Sequence, residues 1–265
     1  MPDKFQKGAG SGRIARIVAS FLPGRRRVPL LTGRDELCTE FQQFPVHSLP
    51  LLAPAPAGAK ALAEFASIGA RGEQHEAYLG ALQALGAHTA SNQVWMVASA
   101  HAGAGGASTA AALAGLCAAQ GRRVVLVDAN LRKRRFHGAF GIAPQPGLAD
   151  ILQNEGSWPM TLTPLEAHRF LLLPAGAVRL DVNALARPAL AATLQELRAY
   201  YDLVLVVLPA QAFAIPGVLA QGDRALVVAR AGHTPLPTYE AQLRAALAEQ
   251  PVTSAVVVED LVNAP

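Results

Sequence analysis

The chain lacks what several common chemistries require. Of 265 residues only two are cysteine, Cys38 and Cys117, and their isolation fits neither a metal-ligand spacing nor a disulfide framework, so a reducing compartment is expected. No apolar run is long enough for a membrane span. The longest, Leu203 to Ala220, is interrupted by Pro209, Gln211 and Pro216 and reads as a buried strand followed by a turn. The apolar stretch near the start carries Arg16 in its middle, which argues against a signal peptide. Acidic residues are scarce in one place above all: residues 1–34 set eight Lys and Arg against Asp3, a balance of +7 that leaves −3 on the rest of a chain whose net charge is +4.

What is present begins with a pattern inside that basic tail. Ile14, Ile17, Val18, Phe21 and Leu22 recur at helical spacing, Arg13, Arg16 and Ser20 fall on the other side, and Pro23-Gly24 ends the run. A short basic amphipathic helix followed by Arg25-Arg26-Arg27 suits an anionic membrane face or a docking partner; a solvated basic tail is the alternative. Nucleic acid is not an expected partner, because aromatic residues do not interleave the charges and the remaining chain is slightly acidic. From Phe44 to Gly58 four prolines forbid helix and favour extended backbone. The expected organisation is a tail and Pro-rich linker over 1–58 and one folded domain over 59–265.

Helical patterns at 59–69 and 74–87 open that domain. Strands are then expected near 93–98, 123–128, 169–173, 203–208, 224–229 and 253–258, with helices near 107–120, 147–153, 188–200 and 236–249. Runs such as Val124-Val125-Leu126-Val127 and Leu203 to Leu208 are apolar throughout, as a sheet covered on both faces requires. Strands alternating with helices predict an α/β fold with a doubly wound, mostly parallel sheet.

Between the first strand and its helix lies Ala100-His101-Ala102-Gly103-Ala104-Gly105-Gly106-Ala107. Its spacing is that of the phosphate loop of nucleotide-binding proteins, G/A-x-x-x-x-G-K-S/T, without the chemistry. The lysine that reaches the β- and γ-phosphates is Gly106, and the hydroxyl that holds Mg²⁺ is Ala107. Gly103, Ala104, Gly105, Gly106, Ala107 and Ser108 remain candidate nucleotide- or anion-binding positions, because backbone amides at a helix N-terminus favour an anion. Ser108 sits one residue late for a metal, and a local helix-start hydrogen bond is its other reading. His101 is a candidate replacement cation or simply an exposed loop histidine.

The run from Val124 to Lys133, continuing through His137, Phe140-Gly141 and Pro146-Gly147-Leu148-Ala149-Asp150, resembles the second Walker-type segment of the bacterial tyrosine autokinases of exopolysaccharide synthesis, on the MinD/ParA-like branch of P-loop proteins. Leu173-Pro174-Ala175-Gly176, Leu197-Arg198 with Tyr201-Asp202, and Arg230-Ala231-Gly232 with Thr234 extend the resemblance over about 74–259. The departures fall on the reacting groups. Against the family's D-x-D pair the chain has Asp128 and Asn130. Where the family has the aspartate of its next strand it has Val207, and where the base-contacting asparagine stands it has Glu259. Of the family's E-x-x-R-x-x-R motif only Glu76 remains, with Leu79 and Leu82 for the arginines and a helix seam as their expected place. The family's C-terminal tyrosine cluster is missing, since the last tyrosine is Tyr239.

The resemblance therefore implies a degenerate, non-catalytic member, with a membrane-bound polysaccharide chain-length or co-polymerase protein as partner and a cytoplasmic location, peripheral to the membrane if the tail binds it. No cofactor is expected: ATP or ADP would bind weakly, without Mg²⁺. Asp128 is the one surviving candidate for a catalytic or metal-holding carboxylate, and capping of the following turn is its other reading. Arg132, Lys133, Arg134 and Arg135 form a candidate docking surface for an acidic partner or a solvated loop. Two other readings stay open, an active kinase with a non-standard site and a MinD/ParA-like positioning protein held to the membrane by its tail.

Overall fold

A computed structural model describes residues 29–32, 45–50, 73–86, 91–143, 145–153, 157–250 and 252–259; the expected amphipathic helix, the helical pattern at 59–69 and Cys38 lie outside them. The described residues form an eight-stranded sheet: β1 (Val46–Pro50), β2 (Gln93–Ser99), β3 (Val124–Asp128), β4 (Thr163–Leu165), β5 (Phe170–Leu173), β6 (Leu203–Leu208), β7 (Arg224–Arg230) and β8 (Thr253–Glu259). Their order across the sheet is β1-β8-β7-β2-β6-β3-β5-β4. Every pairing is parallel except β4 on β5, which is antiparallel.

Helices cover both faces, which is why the central strands are apolar at every position rather than at alternate ones. On one face α1 (Glu73–Ala84) and α2 (Gly106–Ala119) meet Trp95, Val97, Leu126 and Leu205. On the other, α4 (Leu148–Leu152), α6 (Pro188–Tyr200) and α7 (Leu236–Glu249) meet Val94, Met96, Val127 and Val206. Two short helices, α3 (Arg135–Phe140) and α5 (Trp158–Thr161), complete the set. Helix α2 is buried on nearly all sides from Ala110 to Ala118, and its run of alanines lets it lie between the sheet and α1. Leu82 is fully buried in that seam.

Two findings correct the expected domain limits. Of the expected Pro-rich linker only residues 45–50 are described; Val46 to Pro50 are extended, as their composition requires, but belong to the fold, pairing in register with Ala255 to Glu259 as the edge strand. A piece of the basic tail is also part of the fold. Leu31 is completely buried; its N–H donates to the Thr234 carbonyl (2.8 Å) and its own carbonyl accepts from Gly232 N–H (2.7 Å). Sequence pattern missed both because each segment is too short to carry a period and is held by a partner some two hundred residues away.

The matched turns prove to be mutual supports. Leu148 N–H donates to Pro174 O (2.8 Å) and Ala149 N–H to Ala175 O (3.0 Å), so the start of α4 is clasped by the loop after β5. A Cβ on Gly147 would collide with the Pro174 carbonyl and lie 2.6 Å from Gly176 N, and only glycine permits that approach.

Candidate functional site

Strand β2 delivers the loop to the C-terminal edge of the sheet, where crossovers of opposite direction leave a crevice. Ala100 N–H donates to Val228 O (2.8 Å) and Ala104 N–H to His101 O (3.1 Å). Gly103 and Gly105 have φ of 97° and 102°, a left-handed region that glycine enters without strain. Gly105 caps α2 without any side-chain hydrogen bond, and no acidic residue stands in the first turn. The amides that open α2 are therefore left to whatever lies in front of them. His101 Nε2 lies 2.9 Å from Thr234 Oγ1, the same hydroxyl that accepts Arg230 N–H at 2.9 Å.

Gly106 is buried, and a Cβ placed there would collide with the hydroxyl of Ser99. The space from which a lysine side chain would start is thus occupied by the serine that ends β2.

Asp128 lies at the end of β3, completely buried. One carboxylate oxygen accepts the N–H of Asn130 (3.0 Å), the other that of Phe136 (3.3 Å). Burial raises its pKa to about 7 against the pull of these amides and of Arg135. Asn130 continues the device: its Oδ1 accepts Lys133 N–H (3.2 Å) and its carbonyl accepts Arg134 N–H (3.0 Å). Asp128 and Asn130 together tie down the turn that carries the basic run, and Asp128 does not line the crevice. The structure therefore favours the capping role over the candidate catalytic one. His137, at the far side of that turn, is buried with neither ring nitrogen hydrogen-bonded, and burial and Arg134 lower its pKa.

In front of the loop opens a cavity of about 1150 Å³. Of the candidate residues it brings together Gly103, Gly105, Ala107, Ser108, Asn130, Arg132, Lys133, Arg135 and Val207. Ala104 is buried behind it, and Arg134, at φ 44° as the N-cap of α3, is not among the lining residues. Ser99, Arg179, Asp181 and Gln211 line it as well and were not anticipated. The sequence held one signal for Arg179: it follows β5, and in this architecture the loops after strands carry the ligand contacts. Arg132, Lys133, Arg135 and Arg179 are exposed and none makes an ion pair among the described residues. The lining's only carboxylate, Asp181, accepts both the N–H (3.0 Å) and the side-chain amide (2.7 Å) of Asn183. The crevice lining thus sets four cations against one carboxylate.

Comparison with known proteins bears on this geometry. The chain is 34% identical over 155 residues to the succinoglycan biosynthesis transport protein ExoP of Rhizobium meliloti, covering 54% of this chain and 19% of ExoP. It is 31% identical over 129 residues to the tyrosine-protein kinase YwqD of Bacillus subtilis, 48% of this chain and 52% of YwqD. This chain is a relative of the bacterial tyrosine kinases. The match spans about a fifth of the first of these relatives and about half of the second. The solved kinase domain of the Escherichia coli tyrosine kinase ETK superposes with a TM-score of 0.72 at 19% identity, over 85% of this chain and 94% of that one, which establishes the shared fold. No protein-family model matches the chain. Among the described residues no helix is long and apolar enough to cross a membrane.

Proposed function

We propose that this chain is a catalytically degenerate relative of the tyrosine kinases that regulates or scaffolds exopolysaccharide polymerisation and export, on the cytoplasmic side of the membrane and beside a membrane-bound chain-length or co-polymerase protein. The observation that carries this reading is the lysine position of the loop, which is glycine and is closed by the Ser99 hydroxyl. Phosphoryl transfer rests almost wholly on positioning and charge neutralisation by lysine and Mg²⁺. The positions that would hold that metal at the loop are poorly suited to it. Ala107 and Val207 offer it no oxygen, Asn130 carries no charge, and both oxygens of Asp128 are held by backbone amides. Removing one preorganised group of this kind costs on the order of 10²- to 10³-fold. Several lost together leave activity near background.

Anion binding survives in this reading, with the crevice cations in place of the metal. The missing lysine contact alone weakens a nucleotide by roughly 10- to 150-fold, from a charged hydrogen bond worth about 1.5–3 kcal/mol. Purified full-length protein with ATP and Mg²⁺ should show neither hydrolysis nor tyrosine phosphorylation above background, and calorimetry should give weak ATP binding that EDTA leaves unchanged. A Mg²⁺-dependent rate that Ser108→Ala removes would overturn the reading in favour of an active kinase with a non-standard site.

A further inference from the structure

The crevice in front of the loop offers more than positive charge. Arg132, Lys133 and Arg135 reach it from the segment after β3 and Arg179 from the loop after β5, and none of the four makes an ion pair among the described residues. Set among them is a carboxylate that a purely anionic ligand would meet as a like charge. Asp181 opens a short 3₁₀ turn, and a single oxygen, Oδ1, takes both hydrogen bonds from Asn183. Its Oδ2 makes none among the described residues, and neither does the side-chain amide of Gln211, which is exposed on the same lining. A carboxylate oxygen can only accept, so what suits it on a ligand is a hydroxyl or an N–H. Among the described lining residues none is Phe, Tyr or Trp, so a nucleobase finds no ring on which to stack. The cavity of about 1150 Å³ exceeds the roughly 300–1,000 Å³ of ordinary small-molecule sites, and phosphate groups alone would leave most of it unfilled.

We infer that the crevice takes a glycosyl diphosphate, a sugar esterified to two phosphates. The cations neutralise the diphosphate, one sugar hydroxyl donates to Asp181 Oδ2, and another hydrogen-bonds the Gln211 amide. Other anions fail one of these conditions. Inorganic polyphosphate brings no hydroxyl for Asp181, and a nucleotide brings a base that has no platform. The inference rests on the reading that the crevice binds anions without Mg²⁺, and it names the class of anion. Glycosyl diphosphates are the donors of glycosyl transfer, so occupancy of the crevice would register how much donor those reactions have left.

The test is calorimetry of the full-length protein in EDTA, as wild type and as Asp181→Asn, a substitution that keeps an oxygen for Asn183. The ligands are inorganic pyrophosphate, UDP-glucose, UDP-galactose, UDP-N-acetylglucosamine, glucosyl diphosphate on a short prenyl chain, and the methyl ester of UDP, which has the charge of a UDP-sugar without the sugar. At least one sugar ester should bind about fivefold or more tighter than the methyl ester, the worth of a hydrogen bond to a charged acceptor. In Asp181→Asn that ester should lose about fivefold, because the acceptor becomes neutral, while pyrophosphate should gain roughly twofold as a like charge leaves. Sugar esters no tighter than the methyl ester, or an Asp181→Asn protein that holds them undiminished, would overturn the inference and leave the anion reading standing. A protein that binds none of the ligands, pyrophosphate included, sinks that reading and this one with it. Equal affinity for UDP-glucose and the prenyl-linked form places recognition in the shared glycosyl diphosphate; a preference between them identifies the source as nucleotide-linked or lipid-linked.

Discussion

The two ends of the sheet handle positive charge in opposite ways. At the end where strands begin, Arg123 pairs with Asp202 (2.7 Å) and Arg198 with Asp223 (2.7 Å), while Arg224 donates to Ser254 and lies 5.3 Å over the Trp95 ring. At the end where strands finish, four cations surround a cavity and none is paired among the described residues. Cations at the first end tie β2, β3 and β7 to their connections; those at the second make no ion pair and face the cavity. One fold thus separates its paired cations from those without an ion pair by the direction of its strands.

The sharpest way to break this comparison is through the residue that holds the cavity end in shape. Asp128→Ala leaves the Asn130 and Phe136 N–H groups without their acceptor, and we expect a loss of about 2–5 kcal/mol in chemical denaturation, together with loss of anion binding as the basic turn loosens. An unchanged midpoint would mean that the turn holds itself. The same carboxylate predicts a pH dependence. Its folded pKa of about 7 lies above the 3.8 of the free group, so its contribution is present in acid and is lost as pH rises from about 4 to about 7. Relative to Asp128→Asn, the wild-type melting temperature should fall across that window and level off above it.

Substitutions of single arginines have smaller effects and differ in kind between the two ends. Arg198→Ala removes a pair whose side chains are each about a third exposed and a bond to Asn92 O, and should cost about 1 kcal/mol after allowance for solvent screening. Arg179→Ala should change stability by less than about 0.5 kcal/mol and lower the affinity for inorganic tripolyphosphate roughly fivefold. A destabilised Arg179→Ala protein with unaltered affinity would erase the distinction.

Much of the fold was legible because its elements are long and locally consistent. Leu203–Leu208 and Pro188–Tyr200 fall where the pattern placed them, since an unbroken apolar run and a 3.6-residue period each admit one solution in a doubly wound sheet. The three-residue β4 and the edge strand β1 were illegible, for pairing alone decides them. In the site, the loop's lost groups could be read residue by residue. That Ser99 had closed over Gly106 could not, because it depends on packing between a strand end and a helix start. Asp128 and Asn130 could be read as remnants of a metal site or as caps of the following turn, and their hydrogen bonds hold that turn. The sequence alone allowed both, since a carboxylate after a strand serves either purpose.

The pairing of β1 with β8 has a consequence for synthesis. β1 leaves the ribosome roughly two hundred residues before β8, its one partner among the described residues, and closing a loop of that length costs about 5 kcal/mol of chain entropy. Leu31 waits as long for Thr234. β1 and Leu31 therefore reach their places only after β7 and β8 have been made, so this edge of the sheet is the last to close.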